Sequence, residues 1–169
     1  MKNIVLVGMP GCGKSSLGVV LSKNLKMNFC DVDILIQEKE QRGLQEIIDS
    51  EGVDRFLNIE EAVCLSIDFD NTVIATGGSV ILSEKAVMHL KENGIMVYIR
   101  LPYEAIEQRI HNLESRGIAM SKTETLFDVY SKRTVLYEKH ADITVDIDGL
   151  SPMECIQTLQ DTIMKHHKK

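Results

Sequence analysis

Ile4-Val5-Leu6-Val7-Gly8-Met9-Pro10-Gly11-Cys12-Gly13-Lys14-Ser15 is the stretch on which the reading of this chain turns. Its first four residues form an apolar run of strand length. From Gly8 the sequence fits G-x-x-x-x-G-K-[ST], and a helical stretch follows from about Lys14 to Leu25. Strand, glycine-rich turn and helix in that order make an anion cradle. Glycine lets the backbone fold tightly enough for its N–H groups to point inward, and the helix N-terminus adds its partial positive charge at the same spot. Lys14 is placed to reach the outer phosphates of a nucleotide, and the Ser15 hydroxyl to ligate Mg²⁺. An ordinary glycine-rich turn is the alternative, and the strand and helix flanks weigh against it. Gly11, Cys12, Gly13, Lys14, Ser15 and Ser16 are therefore the expected nucleotide-binding residues.

The remaining composition narrows the class. The chain has 169 residues, 44 % hydrophobic and 26 % charged, which suits a single domain over 1–169 with a substantial core. A net charge of −6 argues against nucleic acid as a partner, because a phosphate-tracking surface carries a basic excess. No apolar run approaches the roughly 20 residues that span a bilayer, and no signal-peptide pattern is present, so a cytoplasmic protein without membrane association is expected. Cys12, Cys30, Cys64 and Cys155 are widely spaced without a C-x-x-C pair, and the five histidines show no metal-ligand spacing. Reduced thiols are the plain reading. Cys12 lies inside the phosphate loop, where its oxidation or alkylation would block nucleotide binding. A monomer is expected.

Strand-like and helical stretches alternate along the chain. Asn28-Phe29-Cys30 leads into Asp31-Val32-Asp33 as a second strand, and short helices follow over 34–39 and 44–49, broken at Gly43. Phe56, Ile59, Val63 and Ile67 recur at helical spacing from about Val53. Val73-Ile74-Ala75 is a third strand ending in Thr76-Gly77-Gly78-Ser79, and Ser83 is placed to cap a helix to about Glu92. A strand over 95–101, a helix from Pro102 to about His111, a long helix to about Lys139, the strand 143–146 and a last helix from Ser151 complete the series. Residues 112–123 are polar, contain Gly117 and have no period, as in a mobile lid. This alternation predicts an α/β fold: a parallel sheet with helices on both faces, in three layers, binding ligands beyond the carboxyl ends of its strands.

Three polar clusters fall at such ends: the phosphate loop, Asp31/Asp33, and Gly77-Gly78-Ser79. If the chain stays extended, Asp31 and Asp33 share a side. Asp31 would then hold the Mg²⁺ shell while Asp33 hydrogen-bonds an acceptor hydroxyl, with a role open to it as base in phosphoryl transfer. The competing reading makes one of them a helix N-cap for the residues from Ile34. Gly77 and Gly78 admit close backbone approach and offer N–H donors, or form a simple turn. Arg109, Arg116 and Arg133 lie in the lid-bearing half, where a guanidinium can stabilise charge on a moving phosphoryl group; solvated surface arginines are the alternative.

Taken together, Gly8-x-x-Gly-x-Gly-Lys14-Ser15, Asp31-x-Asp33, Thr76-Gly77-Gly78 and Arg133-x-x-x-Tyr137-x-x-x-Ala141-Asp142 resemble the shikimate kinases over nearly the whole chain. The resemblance implies a phosphate-loop fold of the nucleoside-monophosphate-kinase type, with a five-stranded parallel sheet in the order 2-3-1-4-5 and a lid. It implies transfer of the ATP γ-phosphate to the 3-hydroxyl of shikimate with Mg²⁺. By matching position, Ser15 and Asp31 serve the metal, Lys14 the phosphates, Asp33 the acceptor hydroxyls and Gly78 a backbone N–H. Arg133 binds the acceptor carboxylate, Arg116 is the lid arginine, and Arg109 stacks on adenine. Lys14, Asp33 and Arg116 are thus the catalytic candidates.

The acceptor end departs from the family pattern. G-E-x-x-F-R-x-x-E here reads Gly52-Val53-Asp54-Arg55-Phe56-Leu57-Asn58-Ile59-Glu60, so Leu57 replaces the arginine that would join Arg133 on the carboxylate. Arg55 cannot take over, since two residues along a helix is a rotation of about 200°. Ser79 replaces the third glycine of the usual triplet, narrowing the site and adding a hydroxyl, and the lid's Arg-Pro is Arg116-Gly117. Losing one of two charge-assisted contacts to a carboxylate costs about 1.5–3 kcal/mol, ten- to a hundredfold in affinity. The expected activity is Mg-ATP-dependent phosphorylation of a small hydroxylated metabolite. Shikimate is the first acceptor to expect, and another hydroxy acid or polyol is the alternative.

Overall fold

The computed structural model describes residues 2–111 and 117–167. Five strands, β1 (Asn3–Val7), β2 (Asn28–Asp31), β3 (Thr72–Ala75), β4 (Gly94–Arg100) and β5 (Ile143–Asp146), form one sheet in the order β2-β3-β1-β4-β5. Every neighbouring pair is parallel, with Val5 of β1 between Ile74 of β3 and Met96 of β4. All five residues of β1 are buried, as a central strand covered on both faces requires. Asn3 is the polar exception in that strand, and its Oδ1 accepts from Thr72 N at 3.0 Å, fixing the start of β3. The strand order is the one the resemblance implies.

Eight α-helices lie between and after the strands among the described residues: α1 (Lys14–Leu25), α2 (Val32–Glu40), α3 (Leu44–Glu51), α4 (Val53–Leu65), α5 (Glu84–Glu92), α6 (Tyr103–His111), α7 (Leu126–His140) and α8 (Pro152–His167). α1 and α8 pack together on one side of the sheet, and α4, α5 and α7 lie on the other. Local chemistry sets several of their ends. Ser83 Oγ accepts from Ala86 N at 3.1 Å as the expected cap of α5. Thr125 and Asp128 form a capping box that starts α7 at a fixed place, just after the irregular segment. Among the described residues no helix is long and apolar enough to cross a membrane.

One local expectation needs correction. β2 ends at Asp31 and α2 begins at Val32, so Asp31 and Asp33 do not share the side of an extended strand. The reason is Asp31 itself, whose Oδ1 accepts from Asp33 N at 3.0 Å and caps the helix. Between Gly77-Gly78-Ser79 and the cap at Ser83 the chain makes a single 3₁₀ turn, Val80–Leu82.

Candidate active site

Because all five strands run parallel, the phosphate loop, the start of α2 and the Gly77–Ser79 turn emerge on one side and meet. They enclose a cavity of about 350 Å³. At one end lie Gly11, Gly13, Lys14, Ser15 and Ser16. Gly13 has φ +101°, a conformation open to glycine and costly for any residue with a Cβ. No side chain caps α1, so the N–H groups of its first turn stay available to an anion. Lys14 is buried and its Nζ donates to Gly8 O at 2.8 Å and Met9 O at 3.0 Å. The ammonium is therefore held inside the loop. Arg109 Nη1 donates to Gly11 O at 3.2 Å, which lays the guanidinium of α6 against the rim of the same loop.

The other end is built by side chains from separate elements: Asp33 of α2, Phe56 and Glu60 of α4, Gly77, Gly78 and Ser79 after β3, and Arg133 of α7. Gly78 has to be small, since a Cβ there would stand 2.7 Å from Pro10 Cδ of the phosphate loop. The Tyr137 hydroxyl donates to Gly78 O, and the Tyr137 ring stacks on Tyr98 of β4 with centroids 5.0 Å apart, tying α7 to the turn. Arg133 is buried at 3 % exposure, and its Nη2 donates to Ala119 O.

Glu60 stands among these groups and was not singled out by sequence reasoning. It is 2 % exposed, and the Ser79 hydroxyl donates to its Oε1 at 2.7 Å. Burial pushes its carboxyl up to about 7 against the pull of that hydrogen bond; Asp33 pushes the same way, while Arg133 and Lys14 oppose. A signal was present in the sequence. Glu60 is four residues after Phe56, on the apolar stripe of α4, where an acidic residue is out of place unless it has a task.

Of the residues expected from sequence, Gly11, Gly13, Lys14, Ser15, Ser16, Asp33, Gly77, Gly78, Ser79, Arg109 and Arg133 all line this cavity. Asp31, Leu57 and Cys12 are not among its lining residues. Leu57 is half-buried against the core, and Arg55 is exposed and paired with Glu51 at 3.2 Å, so neither supplies a cation to the acceptor end. The Cys12 side chain is fully buried, so a thiol reagent reaches it only by opening the loop. Arg116 and the lid residues up to it lie outside the described residues.

A phosphate cradle at one end of a cavity, and carboxylates with a guanidinium at the other, define the class: a kinase that phosphorylates a small hydroxylated molecule. Comparison with known proteins gives the particular family. The shikimate kinase family model matches residues 10–164. The chain is 39 % identical to a shikimate kinase of Clostridium botulinum over 141 residues, covering 82 % of this chain and 84 % of that one. It is 35 % identical to a shikimate kinase of Thermodesulfovibrio yellowstonii, covering 94 % and 93 %. Among solved structures it is similar to a shikimate kinase from Acinetobacter baumannii in complex with shikimate, with a TM-score of 0.89, 29 % identity, and coverage of 100 % of this chain and 96 % of the other. The chain belongs to the shikimate kinase family. It is a small-molecule kinase that uses ATP, and a different hydroxy-acid or polyol acceptor is not favoured.

Proposed function

We propose that this chain transfers the γ-phosphoryl group of ATP to a hydroxyl of shikimate in the cavity between the phosphate loop and α4. The observation that carries the reading is the placement of Lys14, Asp33 and Arg133 on the wall of one cavity, 119 residues apart in sequence at the extremes. Gly11, Gly13, Lys14, Ser15 and Ser16 hold the phosphates through backbone N–H groups, and Cys12 contributes only its backbone. Lys14 leaves the carbonyls of Gly8 and Met9 for the outer phosphate oxygens. Arg109, on the loop rim, faces the adenine side.

In the acceptor end, Arg133 takes the carboxylate of shikimate, and Gly77, Gly78 and Ser79 pack against its ring. Asp33 accepts the hydroxyl proton as the oxygen forms its bond to the γ-phosphorus and the bond to the β-phosphate oxygen breaks, releasing ADP. Lys14 and the lid arginine Arg116 neutralise charge on the group in flight. Little covalent chemistry falls to the protein, so positioning and charge carry the rate.

The donor set fits Mg²⁺. Among the described residues no group of three or more His, Cys, Asp or Glu forms a metal cage. Mg²⁺ typically takes one or two protein oxygens and completes its shell with phosphate and water. The exposed Ser15 hydroxyl would be the direct ligand, and Asp31, outside the cavity lining, would act through the water shell. Held there, the ion would supply positive charge against the phosphate groups. We also infer a single monomeric cytoplasmic kinase unit over 1–169, with 112–123 as its lid.

The test is ADP release from Mg-ATP with and without shikimate. Shikimate-dependent release, abolished by a chelator, is the expected result. Release that ignores shikimate would contradict the proposal.

A further inference from the structure

The buried carboxylate at the acceptor end is only half satisfied. Glu60 Oε1 receives the Ser79 hydroxyl at 2.7 Å, while Oε2 is buried and has no hydrogen-bond partner among the described residues. A buried polar atom without a partner carries the full cost of lost hydration, and one on a cavity wall marks a place where a ligand completes the bonding. Gly77 shows where that oxygen stands. A Cβ added to Gly77 would collide with Glu60 Oε2 and lie 3.1 Å from Asp33 Oδ1. The two carboxylates, from α4 and α2, therefore flank one methyl-sized volume that glycine leaves open. Arg133 of α7 and Lys14 of α1 are the charged groups that face Glu60 from the other packed elements.

Ser79 sets this arrangement. Its only proton goes to Oε1, so the hydroxyl is not available to donate to an acceptor. What it does is fix the carboxyl plane. We infer that Ser79 is a positioning residue whose hydroxyl holds Glu60 so that Oε2 engages a shikimate hydroxyl next to the one Asp33 receives for phosphorylation. This rests on the proposed reading of the chain as a shikimate-phosphorylating enzyme. Leu57 supplies a reason for it in this particular chain. Position 57 is one turn before Glu60 on the same helix face and carries no charge, so the partner of Glu60 comes from the turn after β3 instead.

The test is a double-mutant cycle read through the Michaelis constants of both substrates. Ser79→Ala, with Ser79→Gly as a second variant that also adds no bulk, is expected to raise the shikimate KM about tenfold and leave the ATP KM near the parent value. Glu60→Ala is expected to raise the shikimate KM at least as much. Adding Ser79→Ala to Glu60→Ala is expected to change nothing further, since Ser79 acts through Glu60. An unchanged shikimate KM in the Ser79 variants would overturn the inference. So would penalties that multiply in the double variant, which would place Ser79 directly on the acceptor, or equal shifts in both KM values, which would make its role one of folding. Absence of shikimate turnover in the parent enzyme is a different failure: it removes the functional reading beneath the inference.

Discussion

In the function proposed here, the two ends of the cavity recognise their ligands by different means. At the nucleotide end the binding groups are mostly backbone amides, presented by a loop whose path depends on Gly13 at φ +101° and on the uncapped start of α1. At the acceptor end they are side chains from α2, α4 and α7 and the turn after β3. A backbone cradle tolerates little variation, because its donors cannot be changed without changing the fold. A side-chain site can be rewired one residue at a time. Leu57 and Ser79 are that rewiring, set around Glu60, which the family pattern keeps: an arginine is absent, and a hydroxyl–carboxylate bond occupies the neighbouring space.

The sharpest way to break this contrast is at its shared group. Lys14→Met removes the ammonium while leaving the loop backbone in place. We expect kcat/KM to fall by about 10²–10³, with shikimate binding by itself little affected. A comparable loss of shikimate affinity, measured by calorimetry without nucleotide, would mean that the two ends are not separable.

Glu60 gives the next largest effect, on stability. Its carboxyl is pushed up to about 7 in the fold from 4.5, so the folded protein holds the proton more tightly than the unfolded chain. The stabilisation from that proton is complete below about pH 4.5 and is lost as pH rises through about 7. Glu60→Gln keeps a donor and an acceptor but cannot ionise. Relative to the parent it should gain on the order of 2 kcal/mol, or roughly 4–8 °C in Tm, between those limits. A constant Tm difference across the window would mean that Glu60 is already solvated or paired.

Leu57→Arg is the smallest expected change and the most informative about specificity. An arginine one turn before Glu60 can join Arg133 on the shikimate carboxylate, lowering the shikimate KM by about tenfold while the ATP KM holds. An unchanged shikimate KM would show that the acceptor end had already compensated for Leu57 by other means.

Much of this was readable before any coordinates. Gly8 to Ser15 is contiguous, and its meaning depends on local backbone geometry, so the nucleotide end could be read residue by residue. The alternation of strands and helices dictated a parallel sheet, although the order 2-3-1-4-5 came from family resemblance, because nothing local specifies which strand lies beside which. The misread stretch was Asp31–Asp33. There one carboxylate served as a helix cap, a competition between strand continuation and capping that the residue types alone leave open. Glu60 escaped notice for a related reason. Its importance lies in Ser79 and Asp33 standing opposite, and those contacts exist only once α4, α2 and the turn after β3 are packed. The apolar stripe of α4 held the clue, as a carboxylate among Phe56, Ile59 and Val63.

The most direct test of the account is coupled ADP release with Mg-ATP against shikimate, quinate, gluconate, homoserine and several nucleoside monophosphates. Turnover of shikimate with a KM in the range of about 1 μM to 1 mM, well ahead of every other compound, is the result the account predicts. Silence on shikimate with turnover of another member of the panel would contradict it, and would make Leu57 and Ser79 the marks of a different acceptor.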